Sequence, residues 1–177
     1  HNGADFSKLK MLTSGVSDFL LATEKNVDFT WEYKAWGVLS AKLKGVDVET
    51  YCPSEHFKEL KKPSPILITS LDLLKKNPKI VRAFLQASRQ GFTFAIKNPK
   101  QAADILIAES PGIDEQLVQA SQAMISPMYQ ADAKYWGYIE PKSLESYVDW
   151  MLKNHLVDKK PNLSELVQPM LPAISQN

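Results

Sequence analysis

Between positions 31 and 36 the chain places Trp31, Glu32, Tyr33 and Trp36, two indoles, a phenol and a carboxylate in one short stretch. Aromatic rings offer stacking faces worth about 0.5–1.5 kcal/mol beyond the area they bury. A carboxylate accepts hydrogen bonds from amino and ring N–H groups. Such a set could form one wall of a site for a flat polar ring. The same aromatics could equally serve a core, with Trp31 pointing inward, because successive side chains on an extended segment face opposite ways. Tyr135 and Trp136, ahead of Gly137, offer a second aromatic pair in a loop between helices, for a cleft or for packing. Trp150 falls on a regular helical face and reads as core.

No comparable constellation points to catalysis. His56 and His155 are far apart and neither belongs to a triad or a metal-ligand spacing. Cys52 stands alone beside Pro53, without a local partner that would activate its thiol. Ser14-Gly15-Val16-Ser17 lacks the nucleophile-elbow pattern, and seven glycines leave little room for a phosphate-cradling loop. No catalytic residue, metal or cofactor is expected.

The elements that would carry these residues change character near Pro65. Before it, residues 9–13, 27–31 and 46–51 read as strands, the last by alternation of apolar and polar side chains. Helical stretches intervene, one carrying Phe19, Leu20 and Leu21. The other spans 33–44, with Trp36, Leu39 and Leu43 at helical spacing and Gly45 placed to end it. That order predicts an α/β layer with parallel strands. Residues 53–63 read as a charged surface connection, and 65–69 as one more short strand. Ser70 then reads as an N-cap. From there the chain reads as helical. Asn77-Pro78 and Asn98-Pro99 are two helix starts with proline in the first turn. Ile80, Val81, Phe84, Leu85, Ser88, Gly91, Phe92 and Ala95 mark the inner face of the first. Pro111-Gly112 breaks the second, further helices cover 114–124 and 141–156, and a short helix with an extended tail ends the chain.

The balance of 21 basic against 20 acidic residues gives a formal charge of +1 and no electrostatic reason to expect nucleic acid or an anionic membrane. No apolar run approaches the roughly 18 residues of a membrane span. The first residues lack the basic and apolar segments of a secretion signal. Four short strands leave edges that need neighbours, so the chain reads as a piece whose upstream sequence would supply more strands and any signal.

Several spaced motifs are similar to one family. The stretch Val27-Asp28-Phe29-Thr30-Trp31-Glu32-Tyr33-Lys34-Ala35-Trp36, followed by Ala41-Lys42-Leu43-Lys44-Gly45-Val46-Asp47, resembles the thiamine-precursor and riboflavin binding proteins. These belong to the NMT1/THI5-like group of ABC-importer substrate-binding proteins. The run from Asn77-Pro78 through Phe84-Leu85-Gln86-Ala87, Gly91-Phe92 and Ala95-Ile96-Lys97-Asn98-Pro99 resembles the same group, as do Lys134-Tyr135-Trp136-Gly137-Tyr138 and Tyr147-Val148-Asp149-Trp150. The chain departs from the group at Leu144, where an aromatic residue is frequent.

The resemblance implies a type II periplasmic-binding-protein-like fold. Residues 1–64 would be part of one parallel-sheet α/β lobe, and 65–177 a mainly helical C-terminal segment packing on an absent first lobe. It implies a solute-binding component of an importer, not an enzyme, working outside the cytoplasm and touching the membrane only through a lipid anchor. The implied ligand is a small heteroaromatic compound, such as a thiamine pyrimidine precursor or riboflavin, and the implied partners are the importer's transmembrane subunits. Glu32 would accept hydrogen bonds from the amino and ring N–H groups of the guest. Tyr33, Trp36, Trp31 and Trp136 would supply the remaining contacts. An enzyme of the same group that synthesises the thiamine pyrimidine, and a ligand-sensing domain, are the alternatives.

Overall fold

Two helices begin with the same dipeptide, and the reason is steric. Proline has no N–H to donate and a φ already suited to a helix, so it opens a first turn where that donor would be unused. Pro78–Lys97 and Pro99–Glu109 both start this way, each directly after an asparagine with φ near −130°. The structure is a computed structural model that describes residues 5–11, 20, 27–62 and 64–167. It forms two compact units, 1–48 and 49–177.

In the first unit, extended backbone at Tyr33 leads into a π-helical turn, Lys34–Val38, which runs on into helix α1, Leu39–Leu43. The wide turn is closed by Val38 N–H donating to the Tyr33 carbonyl at 3.4 Å. Gly37, Leu39 and Ala41 are buried. The helix ends in a Schellman motif. Val46 N–H donates to the Ala41 carbonyl at 2.9 Å and Gly45 N–H to that of Lys42 at 3.1 Å. Gly45 has φ +72°, the left-handed backbone that favours glycine.

The second unit carries α2 (Pro53–His56), α3 (Leu71–Lys76), α4 (Pro78–Lys97), α5 (Pro99–Glu109), α6 (Glu115–Ile125), α7 (Pro141–Lys153) and α8 (Leu163–Leu166). Side-chain caps fix several starts. Ser70 Oγ accepts from Leu73 N–H at 3.1 Å, and Asp114 Oδ1 from Leu117 N–H at 2.9 Å. The Asn98 amide donates to the Phe94 carbonyl at 3.1 Å, satisfying an end group of α4 just where α5 begins.

Helices α5 and α6 pair most extensively and hold Ala103, Leu117 and Val118 in the core. Asp104 links the pair: it takes a hydrogen bond from Lys100 on its own helix at 3.0 Å and another from Gln119 on α6. Helix α7 docks on the turn Lys58–Leu60. There Ser143 Oγ donates to the Lys61 carbonyl, and the Lys62 ammonium lies 5.2 Å from the centre of the Tyr147 ring. Lys160 is paired with Glu145 at 3.0 Å and Asp149 at 2.7 Å on the same helix. The end of α7 repeats the Schellman pattern with a different residue. Leu156 N–H donates to the Met151 carbonyl at 2.9 Å and His155 N–H to that of Leu152 at 3.1 Å, with His155 at φ +56°.

The expected fold class does not hold. Among the described residues there is no strand and no sheet, so the α/β parallel-sheet lobe of a type II binding protein is replaced by a helical architecture. Residues 27–31, 46–51 and 66–69 are irregular or extended, and so are 9–11. Residues 12 and 13, most of the stretch around Phe19, and the tail from 168 onward lie outside the described residues. The physical reason is that a strand is completed by its neighbour's hydrogen bonds, and alternation in sequence supplies only one side of that pairing. Nor is the alternation used: Ile66, Leu67 and Ile68 are all exposed, as are Phe29 and Trp31.

The expected inner face of α4 is also narrower than its apolar arc. Val81 is buried and Leu85, Ser88, Phe92 and Ala95 are half-buried, but Ile80 (61%) and Phe84 (60%) lie in solvent, and Gly91 is exposed too. The neighbouring helices cover only one side of it.

Candidate functional site

An extended segment followed by a wide turn sets the four residues at 31–36. Trp31 (79%) and Tyr33 (75%) are strongly exposed, Trp36 is 43% exposed, and Glu32 between them is half-buried. Alternation along the extended backbone explains that pattern: Trp31 and Tyr33 share one direction and Glu32 takes the other. The inward reading of Trp31 is thereby corrected, since its indole stands in water. Irregular backbone, in place of the expected strand 27–31, delivers these residues to the start of the helical segment.

Glu32 turns back onto that helix. Its side chain lies against Gly37, so that a Cβ built on residue 37 would fall 2.9 Å from Glu32 Cδ and 3.2 Å from Cγ, and would overlap Oε2. Sequence reasoning passed over Gly37. The signal was there: a glycine inside an otherwise helical pattern calls for a packing or functional reason.

Trp136 belongs to the second unit, where it stacks on Phe92 with ring centres 4.9 Å apart and planes inclined by 27°. Tyr129 meets the same Phe92 ring edge-on at 4.9 Å. The Tyr129 hydroxyl donates to Gln122 Oε1 at 3.0 Å, and the Gln122 amide donates to the Ala95 carbonyl at 3.4 Å. Burial raises the Tyr129 phenol above its ordinary value, and the Gln122 hydrogen bond pulls against that rise. Edge and stacked contacts of this kind hold helices together, so the surroundings of Trp136 are those of a packing residue joining α4 to the turn after α6. Trp150 is half-buried and stacks on Tyr147 at 6.0 Å.

Cys52 is exposed, with its sulfur 3.3 Å from Ser54 Oγ, and His56 stacks on Tyr51 at 4.6 Å. Among the described residues no cluster of His, Cys, Asp and Glu could hold a metal ion, and no helix is long and apolar enough to cross a membrane.

Two shallow grooves run along the second unit, one between α5 and α6 beside Asp104 and Gln119, the other along α4 beside Arg89, Phe94 and Lys97. Neither is lined by Trp136.

No curated protein matches the chain. The family described as NMT1/THI5 like matches residues 1–102. That span takes in the whole first unit, the four residues at 31–36 and all of α4. It is more than half of the 177 residues, and the chain therefore belongs to the NMT1/THI5-like family.

Proposed function

We propose that this chain is the extracytoplasmic solute-binding component of an ABC importer. It takes a small heteroaromatic ligand, such as a thiamine pyrimidine precursor or riboflavin, and passes it unchanged to the importer's transmembrane subunits. Membership of the NMT1/THI5-like family supports a solute-binding or related function. The observation that carries the reading is local: Trp31, Tyr33 and Trp36 leave their rings in solvent within six residues of chain that also hold the half-buried Glu32. Large exposed apolar groups gathered in one place mark interaction sites far more than they mark stability.

In this reading Glu32 accepts hydrogen bonds from an amino group and a ring N–H of the guest, and the indoles and phenol stack on its faces. A hydrogen bond to a charged group contributes about 1.5–3 kcal/mol, which is roughly tenfold or more in affinity.

Titration with riboflavin and with the hydroxymethylpyrimidine of thiamine, followed by calorimetry and tryptophan fluorescence, tests the reading. Binding of one probe should be weakened at least about tenfold by Glu32→Gln and quench the indole emission. If neither probe binds, or if Glu32→Gln binds as the parent does, the reading is wrong.

A further inference from the structure

Position 37 is buried in the middle of a helical segment and occupied by the poorest helix former after proline. Its backbone gives no reason for that choice. Among the described residues the glycines with positive φ are Gly45, Gly112 and Gly137, so residue 37 keeps a conformation open to any side chain. What excludes a side chain is Glu32, whose Oε2, Cδ and Cγ run through the volume that a Cβ would fill.

We propose that Gly37 is a positioning residue for the Glu32 carboxylate. The missing Cβ makes a seat on the helix backbone, and the carboxylate rests in it at a fixed place on the turn Lys34–Val38. The consequence for ligand affinity rests on the function proposed above; the seat itself is a matter of geometry. The residue type at 37 then decides where the acceptor stands. Alanine would leave the helix intact and push aside the far end of a flexible side chain. A hydrogen bond weakens steeply once its donor and acceptor lose alignment, and a misplacement of about 1 Å is enough to lose one to two orders of magnitude in a positioned interaction.

The test is a double-mutant cycle on the chain, with Gly37→Ala, Glu32→Ala and the pair, read first by thermal unfolding without ligand. With Glu32 already alanine, Gly37→Ala should raise Tm by about 2–4 °C, because only the helix preference remains. With Glu32 present the gain should be smaller by at least about 1 °C, because the side chain must leave its seat. Equal gains in both backgrounds overturn the proposal.

The second readout is affinity for riboflavin and the hydroxymethylpyrimidine. Gly37→Ala should weaken the binding probe about as much as Glu32→Gln does, without loss of Tm, and should add nothing to Glu32→Ala. If Glu32→Gln weakens binding and Gly37→Ala does not, the positioning role fails while Glu32 stands as a ligand contact. If the stability cycle is coupled and neither variant alters binding, the seat stands and the ligand role of Glu32 falls.

Discussion

His155 closes helix α7 in a conformation that glycine would adopt without penalty. At φ +56° its Cβ crowds the backbone, while the two reversed hydrogen bonds from His155 and Leu156 hold it there. A left-handed residue other than glycine loses about 1–2 kcal/mol, and histidine, one of the types enriched there, belongs at the low end. Glycine gives back about 0.5–1 kcal/mol through its freer unfolded chain. The imidazole is exposed, so its removal forfeits little packing. His155→Gly should then stabilise by a net of about 0.5 kcal/mol. For a protein of this size that is about 1–2 °C in Tm.

The control series makes the argument specific. His155→Ala keeps the crowded Cβ and should gain nothing, and His155→Val should lose more than about 1 kcal/mol, because a branched Cβ fits that region worst. Calorimetric melts and urea midpoints would rank the variants. If alanine stabilises as much as glycine, or if glycine destabilises, the backbone explanation is refuted.

Four further outcomes follow from packing and charge. The Lys100 hydrogen bond is the main cause that holds the Asp104 carboxyl below its ordinary range, against a partial desolvation and with help from Gln119. Its stabilising share is therefore present above the unfolded-state value and lost as pH falls through the lowered one; Asp104→Asn should flatten the acid limb of a Tm-against-pH curve. Lys160 is raised, first by its hydrogen bond to Asp149 and then by that to Glu145. Its share is present below the ordinary lysine value and lost as pH climbs through the raised one, so Lys160→Met should flatten the alkaline limb above about pH 10. Val118, 2% exposed, should lose about 1–3 kcal/mol on truncation to alanine. Phe84→Glu should stay within about 0.5 kcal/mol, since that ring is already in water; chemical denaturation compares the two directly.

Helix starts were legible in the sequence because their cause is local. Proline after asparagine, Ser70 as a cap and Gly45 as a stop act through neighbours a few residues away, and each of these three signals stands where expected; Asp114, read as the first residue of its helix, is instead its cap. Strands were not legible, because 46–51 shows the alternation of one but no strand stands beside it among the described residues. The apolar arc of α4 misled for a related reason. Ile80 and Phe84 have the spacing of a core face, yet spacing says nothing about how much of the helix its neighbours cover. At the site, residue types pointed to 31–36, and the structure places three of those rings in solvent. Trp136 was legible as aromatic and not as a partner of Phe92, a pairing that depends on how the helices fold together.

The π-helical turn at Lys34–Val38 has a consequence for chain length. An ordinary α-turn spans one residue fewer, and each residue of a helix turns it by about 100°. Deleting a single position inside this turn would let the backbone settle into regular α-geometry and leave the Trp31–Tyr33 stretch facing nearly as before, because the wide turn absorbs the extra residue; the same deletion within the α-helical Leu39–Leu43 would swing that stretch by about that angle. Relatives that differ by one residue inside 34–38 would therefore keep the same face outward. An alignment that slides the gap outside 34–38 would pair residues that point in different directions.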